Sequence, residues 1–242
     1  MNDWLAFPVQ ATMDEADDMR LRGWAALAAG RSSTRRFVER PVPEGWIEEM
    51  LREARHAPSG ANLQPGEFIR VEAEARRRLS EGLVGAYRSG LPPREDYSYF
   101  PDPMPMILRR RQVAAAQALY GALGAARDDR EARRAQFERN FRFFDAPVAL
   151  VVTIDARMGA GCYMDLGMCL YGLMLAAAAR GLGSCAIGAL ASYPGIVRDA
   201  LGLGEGVSVV CGLALGHPDP AAPENAVRTA RREVADFLRV VR

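Results

Sequence analysis

The sequence predicts an α+β fold: a central mixed β-sheet flanked by helices, with one long helix buried at a homodimer interface. Three stretches carry that prediction. Val148 to Ile154 and Val207 to Leu215 are near-continuous runs of β-branched and apolar residues, as strands buried on both faces require. Tyr163 to Arg180, reading YMDLGMCLYGLMLAAAAR, is apolar or small around its whole circumference apart from Asp165 and Arg180. Such a helix has no solvent face. One domain seldom wraps a helix completely, so a second copy of the chain is the economical partner, while Asp165 in the first turn disfavours a membrane span.

The bulk properties agree with one domain, residues 1–242. With 49% hydrophobic and 25% charged residues, a chain of 242 residues can bury a large core. The balance of 31 basic against 30 acidic residues argues against a dedicated nucleic-acid surface. All the basic residues are Arg, which excludes a Lys Schiff base and a Walker-type lysine and leaves cationic anion recognition to guanidinium groups. Cys162, Cys169, Cys185 and Cys211 form no CxxC pair and stand among small or apolar neighbours, so reduced, buried thiols are expected. With His56 and His217 the only histidines and no HExxH motif, no metal centre is expected. The N-terminus shows no signal-peptide succession, so nothing suggests secretion and a cytoplasmic protein is expected.

Taken in order, Met1 to Arg22 reads as an acidic peripheral arm leading into a helix over Met19–Ala29, stopped at Gly30. Trp46 to Arg55 places Ile47, Met50, Leu51 and Ala54 at helical spacing. A turn-rich loop from Pro58 to Gly66 then enters a short strand, Glu67 to Val71. Beyond it come a helix over Ala75–Val84, an aromatic loop from Ser89 to Pro105, and helical spans over Met106–Leu123 and Asp128–Arg139. Asn140 to Pro147 opens the first buried strand, and a helix over Tyr193–Leu201 precedes the second.

Two of these stretches offer chemistry. The loop His56 to Glu72, HAPSGANLQPGEFIRVE, holds Ser59, Asn62 and Gln64 at the rim of the core while Pro58, Gly60 and Pro65 restrict the backbone. That suits the polar edge of a flat ligand, although most loops of this composition are only turns. In Arg31-Ser32-Ser33-Thr34-Arg35-Arg36-Phe37, the guanidinium groups of Arg31 and Arg35 with the hydroxyls of Ser32 and Ser33 form a compact donor set for a phosphate. A solvated Arg-rich surface is the plain alternative, and it is the reading given to Arg36 and Arg40.

The order RSSTRRF, PVPE, helix, APSGANLQP resembles the N-terminal signature of the nitroreductase family of FMN-dependent oxidoreductases. The tail HPDPAAPENAVRTARREVADFLRVV is similar to that family's closing signature, so the resemblance covers residues 24–72 and 143–242. It implies a nitroreductase-like fold and a homodimer with FMN at the subunit seam. It puts Arg31, Ser32, Ser33 and Arg35 on the FMN phosphate, joined by Arg231 as the best match from the tail and Arg228 as the second. Pro58, Ser59, Gly60, Asn62 and Gln64 would hold the ring edge, and the backbone of Ala186, Ile187, Gly188 and Ala189 would run along the flavin near N5. Residues 74–140 would form a variable lid, with Tyr97, Tyr99, Phe143 and Phe144 lining the substrate pocket.

The implied reaction is ping-pong transfer from NADPH or NADH through FMN to a nitroaromatic, quinone or similar acceptor, with no side chain acting as nucleophile. Two alternatives remain open on the sequence: a flavin-dependent dehydrogenase or oxidase of a biosynthetic pathway, and a flavin-free structural dimer. The chain departs from several members at Gly188, where they carry an acidic residue, and at Gly66, where they carry Trp. Both departures are expected to widen the pocket.

Overall fold

The structure, a computed structural model, describes residues 15–241. Four strands form one sheet in the order β1-β2-β4-β3: β1 (Glu67–Arg70), β2 (Val148–Asp155), β3 (Gly183–Ile187) and β4 (Val207–Gly216). Every strand pair is antiparallel. The parallel component of the expected mixed sheet is reduced to an isolated bridge between Ser33 and Ser184. Strand β3 was not legible from the sequence, because the glycines and small residues of GLGSCAIGA carry no β-branched run.

Helices cover both faces, as the all-round burial of β2 demands. On one face, Ala149 and Val151 pack with Phe141, Phe143 and Phe144 and with α3 (Ala73–Ser89) and α7 (Pro194–Leu201). On the other, Val148 and Leu150 meet α2 (Trp46–Ala54) and α6 (Ala160–Ala179), and Val152 and Ile154 meet Leu166 of α6. The alternation along β2 is the period-2 signature of a strand.

Between Val152 and Thr153 the register against β4 slips. Val152 faces Cys211 and Thr153 faces Val209, so Val210 is an extra residue on β4. The bulge reverses side-chain facing. Cys211 and Leu213 pack on the α6 side, whereas Val209, of the same parity, packs with α3 and α7.

The expected N-terminal arm lies partly outside the described residues, and from Glu15 onward it is already helix α1 (Glu15–Gly30). Residues 74–140 are not one lid. Leu79 and Leu83 of α3 are fully buried, so this helix belongs to the core. By contrast, α4 (Met106–Ala122) has no buried residue and exposes Met106, Ile107 and Val113. It is followed by α5 (Arg130–Glu138), whose first turn is capped by Asp129 accepting from the Ala132 amide at 2.9 Å. The all-round burial expected of α6 is met on one side only within the chain, where Leu166, Leu173 and Ala177 are buried. Met164 (66% exposed), Met168 and Tyr171 leave an open apolar stripe along the helix.

Candidate functional site

The residues singled out in the sequence gather at two separate places. The first is a cavity of about 500 Å³ lined by Arg31 and Ser32 after α1, by Gly183 and Ser184 at the start of β3, and by Asn225 and Arg228 from the tail. The Thr34 amide donates to the Ser184 carbonyl at 2.9 Å, which lays the Arg31–Arg36 segment against β3. Gly183 is obligatory for that approach, because a Cβ there would collide with the Thr34 hydroxyl. Among the described residues neither Arg31 nor Arg228 is paired with a carboxylate, and Arg228 donates only to the carbonyls of Asn225 (2.9 Å) and Val227 (3.1 Å). Asp219 also lines the cavity, but it makes no ion pair with either arginine; two guanidinium groups free of an ion-pair partner, beside a serine hydroxyl, fit a phosphate dianion.

Other members of the expected phosphate set stand elsewhere. Ser33 serves the bridge to β3, and the Arg35 guanidinium turns back to the Ser33 carbonyl at 3.4 Å instead of lining the cavity. Arg231 is absent from the lining as well; it donates to the hydroxyl of Thr229 at 2.6 Å. Within the chain Arg228 and not Arg231 lines the cavity, because the chain turns at Pro223–Ala226 and delivers Arg228 there.

The second place is a groove of about 500 Å³ between α2, the 57–66 loop and α6, lined by Pro58, Ser59, Gln64, Gly66, Asp165 and Cys169 among others. The loop is held in an uncommon shape: Ala61, Asn62 and Gln64 all have positive φ, at 49°, 57° and 47°. Beside its own backbone turns, two side-chain acceptors hold it there. The Ser59 hydroxyl accepts from the Gln64 amide at 2.9 Å, and the Asp165 carboxylate accepts from the Gly60 amide at 3.0 Å. Asn62 is exposed at the crest. In the sequence Asp165 served only as an argument against a membrane span. A lone carboxylate on an apolar helix was itself the missed signal, since a buried charge needs a donor.

The stretch 186–189 ends β3. Ala186 is exposed while Ile187 is 1% exposed and belongs to the core, so the Ile187 side chain is closed to a ligand and the backbone around it stays near the surface. Above Gly188 stands the aromatic loop. A Cβ on Gly188 would lie 3.4 Å from the Tyr99 ring, in ordinary contact with it, so Tyr99 borders the space that an acidic side chain would enter. The β4 bulge fixes this loop. Tyr97 donates its hydroxyl to the Val210 carbonyl at 2.7 Å and packs on Tyr163 at 5.1 Å between ring centroids, and Asp96 accepts from the Val209 amide at 3.0 Å and from Arg198 at 2.8 Å. Burial raises the Tyr97 phenol well above its usual range, so it remains a donor.

Gly66 lines the groove at a position closely packed against Leu166. Its φ is 89°, and a Cβ would come within 2.6 Å of Leu166. Phe143 and Phe144, expected at the substrate pocket, are 0% and 2% exposed and belong to the core beneath the sheet, held at φ 53° and 52°. Arg36, expected to face water, pairs with the buried carboxylate of Glu224 at 3.2 Å, and Arg139 reaches the same oxygen at 3.1 Å. Sequence reading missed that network because its members lie far apart in the chain.

Comparison with known proteins agrees with this geometry. The nitroreductase family model matches residues 28–217. The chain is 36% identical over 218 residues to the nitrobenzene nitroreductase of Ectopseudomonas oleovorans, covering 89% of this chain and 95% of that protein. It is 32% identical over 212 residues to the 4-nitrobenzoate reductase of Pseudomonas putida, covering 88% and 92%. The crystal structure of the FMN-dependent nitroreductase NfnB from Mycobacterium smegmatis, in complex with NADPH, superposes with a TM-score of 0.86 at 31% identity, covering 92% of this chain and all of that one. With the Arg31 cavity, the constrained 58–66 loop and the antiparallel sheet between helical layers, the chain belongs to the nitroreductase family.

Proposed function

We propose that the protein is a homodimeric FMN-dependent oxidoreductase that takes electrons from NADPH or NADH and delivers them to a nitroaromatic, quinone or similar small acceptor. The observation that carries this reading is the cavity in which Arg31, Ser32 and Arg228 meet with no carboxylate paired to either guanidinium. That donor set suits the FMN phosphate, and the relatives named above are nitroreductases.

The two half-sites argue for a dimer. The phosphate cavity and the Pro58–Gln64 groove share no lining residue, so a second copy supplies the ring-edge loop to the first copy's phosphate cavity. The stripe Met164, Met168 and Tyr171 on α6, the exposed face of α4, and Phe237 and Leu238 in the tail offer apolar surface for that contact.

FMN held at this site would supply the redox chemistry, taking up and passing on electrons. The chain's own residues bind and orient. Arg31, Ser32 and Arg228 hold the phosphate; Ser59, Asn62 and Gln64 present polar groups to the ring edge; the backbone of 186–189 borders the reactive region; Tyr97 and Tyr99 wall the acceptor site. Four free thiols fit a reducing, cytoplasmic setting, with burial pushing Cys211 up to about 12 and Cys185 upward as well.

Purified protein should be yellow and elute as a dimer. Anaerobic NADPH should bleach it, and nitrobenzene should restore the colour. A colourless protein that takes up no FMN, or a reduced protein that responds to dioxygen but to no nitroarene or quinone, would overturn the reading.

A further inference from the structure

We infer that Asn225, Glu224 and Arg139 are positioning residues that set the phosphate end of the cofactor site; the inference rests on the FMN reading above. Three segments far apart in sequence meet in this clamp. The Asn225 side chain accepts from the amides of Arg35 at 2.8 Å and Arg36 at 3.2 Å, and donates to the carbonyls of Arg36 at 2.7 Å and Asp219 at 2.9 Å. All four partners are main chain, so the side chain fixes the path of the backbone that follows Arg31 and Ser32. The Asn225 carbonyl then accepts from the Arg228 guanidinium at 2.9 Å. One residue thus registers both the N-terminal and the C-terminal cations of the cavity.

Glu224 and Arg139 lock this arrangement from beneath. Glu224 is 2% exposed, and its carboxylate takes both Arg36 and Arg139. The other amino group of Arg139 donates to the Arg35 carbonyl at 2.8 Å. Neither Glu224 nor Arg139 lines the cavity, so both act through the backbone they hold. Phosphate recognition by paired guanidinium groups depends on their spacing, and a pre-set spacing lowers the ordering cost of binding.

The test separates phosphate from ring. The full-length protein is stripped of flavin and titrated with FMN and with riboflavin, which carries the same ring without the phosphate, in the wild type, Asn225→Ala and Arg139→Lys. Asn225→Ala should raise the FMN Kd by about tenfold and Arg139→Lys by about threefold, on the scale of one lost hydrogen bond. The riboflavin Kd should stay within about twofold of wild type. Parallel weakening of both ligands, as from a general loss of fold, or no change in either, overturns the inference. If Asn225→Ala does not fold, Arg139→Lys, which keeps the charge beside Glu224, carries the test alone. A wild type that binds riboflavin as tightly as FMN instead sinks the phosphate assignment itself.

Discussion

The Asp165 carboxylate accepts a hydrogen bond from the Gly60 amide at 3.0 Å, tying the apolar α6 to the 57–66 loop. Asp165 is 7% exposed, so its removal leaves an amide without its acceptor. Asp165→Ala should cost about 1–3 kcal/mol in chemical denaturation. It should also raise KM for the acceptor more than it lowers kcat, because the loop keeps its residues and loses its tether. Asp165→Asn, which retains an acceptor oxygen, should lie between the two. An unchanged denaturation midpoint in Asp165→Ala would contradict this account.

Gly66→Trp, the residue several family members carry there, should destabilise this chain by at least about 2 kcal/mol. The position has φ 89°, and the new Cβ would meet Leu166 and the Thr153 carbonyl. A urea titration decides the matter, and a folded variant of wild-type stability would mean that Leu166 yields.

Tyr99 stands over Gly188, its ring 3.4 Å from where a Cβ would sit, and is 55% exposed on a loop anchored through Tyr97 and Asp96. Tyr99→Ala should therefore leave FMN content unchanged. It should raise kcat/KM for ring-substituted nitroarenes relative to nitrobenzene by about three- to tenfold, the range for one side chain's worth of pocket volume. Equal ratios in wild type and variant would remove Tyr99 from the acceptor wall.

Arg31→Ala should lower FMN occupancy on purification, whereas Arg40→Ala should not. Arg36 is an unsuitable control, because it neutralises the buried Glu224. The readout is the ratio of flavin to protein absorbance after desalting, and equal retention in the Arg31 and Arg40 variants would refute the assignment.

Stability should fall in acid through Glu224. Burial alone would raise its carboxyl, but the hydrogen bonds from its own amide and from Arg139 and Arg36 outweigh burial and hold it below the usual carboxylate range. A carboxyl depressed in the folded state contributes stability above its unfolded value, about 4.3, and loses it as pH falls through the lower folded value. Thermal melting should thus be level near neutrality and decline below about pH 4.3. Glu224→Gln should flatten part of that decline while lowering Tm at pH 7, where Arg36 and Arg139 lose their shared counter-charge. A Tm at pH 7 equal to wild type would show that the network does not hold the fold.

Much of the architecture was legible because it depends on local pattern. The runs of β2 and β4, the helical spacing of Ile47, Met50 and Ala54, and the turn chemistry from Pro58 to Gly66 each declare themselves over a few residues. β3 did not, because its small residues, Gly183 among them, permit close approach to Thr34 and carry little strand propensity. Phe143 and Phe144 misled for a related reason: aromatics beside a strand suit a pocket or a core equally well in sequence, and only packing distinguishes them.

Fold class was already set by the order of residues, since periodicity and turn residues act between near neighbours, and the resemblance of RSSTRRF and APSGANLQP to a known signature pointed to the family. Tertiary structure decided which guanidinium groups remain unpaired. Arg31 and Arg228 reach a shared cavity, whereas Arg36 and Arg139 neutralise Glu224 and Arg231 turns back on Thr229. The reason is electrostatic and geometric: whether an arginine can bind an anion depends on which carboxylate, carbonyl or cavity the fold brings to it, and those partners lie anywhere from a few residues to nearly two hundred away in the chain.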